Sequence, residues 1–269
     1  MHPHPEYQTL LQFDLLSAEP GIEHFFTTRS GGVSKGEFSS LNLGNYSDDD
    51  PVAIFENLTI LARMWYMKPS DFIVPHQTHG SRILAIDEHF LSLSLSQKNE
   101  ILYGVDATVT QLKNFFLCVT VADCVPILLY DRAKGVVAAV HAGWRGTSDR
   151  IVEKTIRFMQ EQYSSSASGI VAAIGPAICM QHYEVGDEVV EIFRQQGFDL
   201  SSASIKNEIT GKMHIDLKEI NRLELLRMGI LPQHIEKTDL CTYENPDLFF
   251  SARRQSVHCG RMLCGIMLK

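Results

Sequence analysis

No stretch of this sequence is long and apolar enough to cross a bilayer. The most hydrophobic segment, Phe115 to Tyr130, is broken by Asp123 and falls short of the roughly 20 residues a spanning helix needs. The first residues, Met1-His2-Pro3-His4-Pro5-Glu6, hold neither a basic cluster nor an apolar run, so no secretory signal is expected. Positive charge is also scarce. Lys and Arg number 24 against 32 Asp and Glu, a formal charge of −8, which argues against a nucleic-acid surface built from clustered cations. Six cysteines in 269 residues (Cys118, Cys124, Cys179, Cys241, Cys259 and Cys264) are too sparse for a disulfide scaffold. They read as free thiols of a reducing compartment. No repeat of solenoid period is visible. These absences leave a cytoplasmic globular protein without a nucleic-acid or membrane partner.

Hydrophobic residues make up 45% of the chain, ample for a substantial core. Residues 1–21 read as a loosely ordered N-terminus, and residues 22–269 as one domain. Strands are expected at Ile22–Thr28, Phe72–Val74, Arg82–Ile86, Ala107–Thr110, Phe116–Val121, Pro126–Tyr130, Gly135–His141, Ile170–Ile174, Met213–Ile215, Phe249–Ala252 and Arg261–Leu268. Helical spacing marks Pro51–Tyr66, Gly146 to about Gln162, Gly186–Gln196 and Asp216–Met228, the last ended by Gly229. Ser92 to Ser96 and Ser164 to Ser168 look like loops. Strands outnumber helices and often follow one another directly. That pattern predicts an α+β fold with mixed β-sheets flanked by helices.

Three short motifs carry the chemistry: His76-Gln77-Thr78-His79-Gly80, Ala122-Asp123-Cys124-Val125-Pro126 and His141-Ala142-Gly143-Trp144-Arg145-Gly146. Each places a thiol or imidazole at the edge of an apolar, strand-like run, where a rigid element can fix it. His79, Cys124 and His141 together form the donor set of a catalytic zinc ion with an open fourth position. Such an ion lowers the pKa of a bound water from about 15.7 to about 7. Asp123, set in an apolar strand, is costly unless it has a partner or a task. Asp123 or Asp106 is a candidate to move a proton. Gly143 and Gly146 bracket Trp144 and Arg145 where a helix begins, a place suited to an anion.

The same residues admit other readings. Cys124 activated by His141 or His79 would serve a metal-free Cys–His hydrolase or amidase. Copper redox chemistry suits the donor set, but a multicopper oxidase needs several His-x-His pairs, and His2-Pro3-His4 is the only one. A metal that only braces a non-enzymatic binding protein is a further possibility, with Cys241 or Asp123 as fourth donor. Zinc nucleobase deaminases pair H-x-E with P-C-x-x-C. Here His4-Pro5-Glu6 and His182-Tyr183-Glu184 fit the first pattern and nothing fits the second.

The segments Phe26-Thr27-Thr28-Arg29-Ser30-Gly31-Gly32-Val33-Ser34-Lys35-Gly36 and Ser40-Leu41-Asn42-Leu43-Gly44, followed by the three motifs, resemble the bacterial YlmD/YfiH proteins. Ile174-Gly175-Pro176-Ala177-Ile178, Tyr183-Glu184-Val185-Gly186, Cys241-Thr242 and Phe249-Phe250-Ser251-Ala252-Arg253-Arg254 extend the likeness from about residue 22 to the C-terminus. That family was long labelled polyphenol oxidase or laccase and is now described as a purine nucleoside enzyme. The resemblance implies a YfiH-like fold, also likened to the cytotoxic-necrotizing-factor type of cysteine deamidase. It implies phosphorolysis of adenosine, inosine and methylthioadenosine to free base and (methylthio)ribose 1-phosphate, with adenosine deaminase activity. The substrates would be purine nucleosides and phosphate. A role in peptidoglycan-precursor editing has been attached to some members.

The resemblance also implies metal ligands at His79, Cys124 and His141, with zinc the expected ion and copper a possible one. His76 is then a neighbour and not a fourth ligand. Asp123, Cys124, His141 and Arg145 are the catalytic candidates. Arg29, Asn42, Gln77 and Arg254 are the substrate-binding candidates, since guanidinium forks match phosphate oxygens and amides match ribose hydroxyls or purine edges. Cys259 and Cys264 lie outside the family pattern and receive no role.

Overall fold

The computed structural model describes residues 1–269 and builds two six-stranded sheets and a small three-stranded one. The first sheet runs His2–Pro3, Leu10–Gln12, Ile22–Thr27, Met262–Leu268, Phe116–Val121, Phe72–Ile73. The second runs Ile235–Lys237, Ile170–Ile174, Val125–Asp131, Val136–Ala142, Val105–Thr110, Arg82–Ala85. Most neighbours are antiparallel, but Phe72–Ile73, Arg82–Ala85 and Ile235–Lys237 join in parallel, so the sheets are mixed as expected.

Side-chain alternation explains the layering. Along Val125–Asp131, Ile127 and Leu129 face a core shared with helices Ile151–Tyr163, Asp187–Gln195 and Leu217–Arg227. Leu128 and Tyr130 face the opposite way, against Phe26, Leu117 and Ile266 of the first sheet. A third core lies on the far side of the first sheet, where Phe25, Phe116 and Leu263 meet Leu61 and Ala62 of helix Pro51–Arg63. The result is helix, sheet, sheet, helices. Burial on both faces is why these strands read as near-continuous apolar runs. No helix is long and apolar enough to cross a membrane.

Several expectations change. Residues 1–21 are not loose: they supply two strands of the first sheet and helix Asp14–Ser17, with Leu10, Phe13 and Leu16 almost wholly buried. Strands of two or three residues carry too little periodicity to read. Phe249–Ala252 is no strand. Ser251 instead caps helix Ala252–Gln255, its hydroxyl accepting from the Arg254 N–H at 3.2 Å. The Ser92–Ser96 segment is mostly helical: it joins helices Glu88–Ser92 and Leu95–Leu102 through Leu93 and Ser94 alone, and Ser94 forms a reciprocal capping box with Gln97. The helix expected from Gly146 starts at Trp144 and breaks after Ser148. Arg150, at φ 58°, then restarts it as Ile151–Tyr163.

Candidate metal centre and active-site cleft

The hairpin of the second sheet sets two of the three donors. Pro126 pairs with His141 and Val125 with Ala142, so Cys124, one residue before its strand, stands at the ladder end beside Gly143, two residues on from His141. His79 arrives from the loop before Arg82–Ala85, whose parallel neighbour Val105–Thr110 carries Asp106. One donor atom from each of His79, Cys124 and His141 lies within 4.8 Å of the others, and the residues grade from exposed through half-buried to buried. The cluster therefore opens outward at His79.

Asp106 aligns two of these ligands. Its carboxylate has no exposed surface and meets His141 Nδ1 at 2.8 Å. It also accepts from the N–H groups of Thr78, His79 and Gly80 at 3.3, 3.0 and 2.8 Å. His79 sits at φ 62°, a left-handed conformation that those bonds hold in place. Burial works to raise the Asp106 pKa, yet the His141 hydrogen bond and the N–H groups of Gly80 and Thr78 hold it below the usual carboxylate range. Asp106 is thus a buried orienting group, not a proton shuttle facing the cleft.

Burial alone would raise the Cys124 pKa, but His141 and His79 overcome it and pull the thiol down to about 6. Burial would depress His141, but Cys124 and Asp106 lift it to about 9. Each group thus favours the charged form of the other. Gly143 completes the enclosure: a Cβ there would lie 3.0 Å from His79 Cδ2 and 3.2 Å from Cys124 Sγ. Two imidazoles, a thiolate, a carboxylate behind one imidazole and an open side fit a zinc-type catalytic site.

Asp123 has the partners that its cost in an apolar strand calls for. It sits at φ 90° and borders the cleft, but its carboxylate is engaged by the protein. It accepts from Thr242 Oγ1 at 2.6 Å, Ser251 Oγ at 3.0 Å and the Arg253 N–H at 2.7 Å. Its task is to pin the 242 and 251–253 segments beside the cleft.

The cleft encloses about 600 Å³ and is bounded by the metal donors, Gln77 and Arg145 among others. Arg145 is exposed, its guanidinium carbon 4.3 Å from the Trp144 ring centroid. Gln77 borders the cleft, but its amide is engaged at both ends by Thr120: it donates to the Thr120 carbonyl at 2.9 Å and accepts from the Thr120 N–H at 2.7 Å. The other three substrate-binding candidates lie outside the lining. Arg29 donates to the Ser39 and Pro246 carbonyls. Asn42 is fully buried and joins Ser47, Asp49 and the N–H groups of Gly44 and Arg261. Arg254 donates to the Thr242, Tyr243 and Phe249 carbonyls. All three brace loops and stand outside the cleft lining.

The structure adds Tyr46, His76, Tyr183, Arg253 and Arg261 to the cleft wall. Tyr46 stacks on His76 with ring centroids 3.5 Å apart, and Tyr183 packs under the Arg253 guanidinium. His76 was visible in its motif. Tyr46 stands in a loop with no flanking pattern to single it out.

A family model described as multi-copper polyphenol oxidoreductase laccase matches residues 23–269. The chain is 43% identical to a purine nucleoside phosphorylase of Bacteroides thetaiotaomicron, over 96% of each chain. It is 39% identical to adenosine deaminase RL5 of an unknown prokaryotic organism, over 97% of this chain and 99% of that one. Among solved structures, YlmD from Geobacillus stearothermophilus superposes with a TM-score of 0.89 at 32% identity, covering 99% of this chain and 98% of that one. Bacillus licheniformis YfiH gives 0.90 at 30%, with the same coverage. The chain belongs to the YlmD/YfiH family.

Proposed function

We propose that this protein is a zinc-dependent purine nucleoside enzyme. It would carry out phosphorolysis of adenosine, inosine and methylthioadenosine to free base and (methylthio)ribose 1-phosphate, and deaminate adenosine. The observation that carries this reading is the meeting of His79, Cys124 and His141 at an open cleft. The names of the relatives supply the substrate class. A zinc ion held there would supply Lewis acidity and an activated water for hydrolysis at purine C6.

The remaining work falls to side chains. Arg145 has a guanidinium free of carboxylate partners and would hold phosphate in the cleft beside the ribose. Tyr46 and His76 offer an aromatic wall for the flat purine. Asp106 keeps the His141 ring oriented through each turnover. The six free thiols suit a reducing interior, and the cytoplasm is the proposed location.

A second reading has its own support. The Cys124 thiol, pulled down to about 6 beside His141, is poised as a nucleophile for a metal-free hydrolase or amidase. Purified protein incubated with inosine and with adenosine, each with and without phosphate, separates the cases. Hypoxanthine released from inosine only with phosphate marks phosphorolysis, and inosine formed from adenosine without phosphate marks deamination. Retention of either activity after full metal removal would favour the second reading.

A further inference from the structure

A second group of soft donors lies outside the cleft. Cys179, Cys241 and Glu244 each bring one donor atom within 4.8 Å of the others. Cys179 is half-buried, Cys241 buried and Glu244 exposed, so the cluster sits at the protein surface with its sulfurs inward. His182 Nε2 stands 3.1 Å from Glu244 Oε1, and its ring stacks on Tyr243 at 4.2 Å. None of these four side chains lines the cleft.

The backbone brings them together. An isolated parallel bridge joins Ala177 to Cys241, and the Cys179 N–H donates to Cys241 Sγ at 3.2 Å. We propose that Cys179, Cys241 and Glu244, with His182 as fourth donor or as the partner that orients Glu244, form a second, structural site for a zinc-type divalent cation. Two thiolates with an oxygen or nitrogen donor are the ligand types such an ion takes in closed sites. Bonds of about 2.0–2.3 Å imply donor separations of roughly 3.3–3.8 Å, inside the 4.8 Å limit within which these donors lie.

The nearby Lys218 ammonium is engaged elsewhere, donating to the Thr238 and Leu240 carbonyls at 2.9 and 3.1 Å. The placement suggests a purpose. Thr242, next to Cys241, donates to Asp123, whose neighbour is Cys124. Tyr183, which lines the cleft, follows His182. An ion here would clamp the 179–182 turn to the 241–244 turn and so steady the wall behind the first site.

Elemental analysis of the full-length protein, purified with reductant and loaded with zinc alone, tests this. About two zinc ions per chain are expected, falling to about one in either Cys179→Ser or His79→Ala, with different ions lost. Glu244→Gln, at an exposed position, should weaken the second ion at least tenfold in chelator competition. In the cobalt-loaded protein, Cys179→Ser should diminish the thiolate-to-metal charge-transfer band while His79→Ala retains most of it. One zinc per chain, lost in His79→Ala and unaffected by Cys179→Ser, would overturn the proposal. A Cys179–Cys241 disulfide in anaerobically purified protein would overturn it equally.

Discussion

Asp106 bonds to His141 through its ring and to His79 through its backbone, so one carboxylate governs two of the three donors. Outer partners of metal-bound imidazoles typically account for 10–100-fold in affinity. Asp106→Asn keeps the shape but cannot accept at both oxygens, and should weaken zinc by about that factor in chelator competition. An unchanged affinity would mean that Asp106 only shapes the loop. Gly143→Ala is a second test at this scale. Its methyl would press on His79 and Cys124 while φ stays at −69°, so zinc affinity should fall with little change in Tm. Among cleft cations, Arg145→Ala should raise the KM for phosphate at least tenfold and leave deamination of adenosine nearly intact. Equal losses in both reactions would assign Arg145 to the nucleoside instead.

At the scale of elements, buried polar side chains join the pieces. Asn57, on helix Pro51–Arg63, accepts from the Val33 N–H at 2.8 Å and donates to Ser34 Oγ and the Asn42 carbonyl, both at 2.9 Å. Asn57→Ala leaves those groups unpaired and should cost about 1–3 kcal/mol in urea unfolding. His24 ties the N-terminal segment to the first sheet by accepting the Phe13 N–H at 2.8 Å. Burial pushes its pKa down from 6.5 to about 3. The unfolded chain therefore takes up this proton first, so the His24 contribution is full above about pH 6.5 and is lost as pH falls toward 3. His24→Gln should flatten the fall in urea midpoint between pH 6.5 and 4. Parallel curves for the two proteins would refute the assignment.

These joints also mark where the sequence was hard to read. Strands such as Phe116–Val121 and Ile170–Ile174 were legible, because two-sided burial leaves an unbroken apolar run between turns. The donors were legible for a related reason: polar residues at the ends of such runs stand out. The loop-bracing bonds of Arg29, Asn42 and Arg254 were not legible, because residues that serve a loop's own backbone look the same in sequence as ligand-binding ones. Asp123 was recognised as costly, but its partners Thr242 and Ser251 lie 119 and 128 residues away, beyond any local pattern. The separation of Cys179 from Cys241 by 62 residues hid the second cluster in the same way.

Across the whole molecule, two sheets share one core, and the metal donors stand where the second sheet's central hairpin emerges from it. That rigid base explains how an exposed site keeps its geometry while loops from both ends of the chain form the cleft wall. The N-terminal strands are part of this frame, with Leu10 and Phe13 fully buried. Deleting residues 1–13 should lower Tm sharply, since each large core side chain removed costs about 2–5 kcal/mol. Calorimetry showing an unchanged transition would restore the expectation of a loosely ordered N-terminus. The most direct test of the central claim is zinc titration of chelator-stripped protein, followed by phosphate-dependent release of hypoxanthine from inosine. Activity should return in step with filling of the site that contains Cys124 and stay absent in Cys124→Ala at every zinc level. Full activity in the stripped protein would contradict the account.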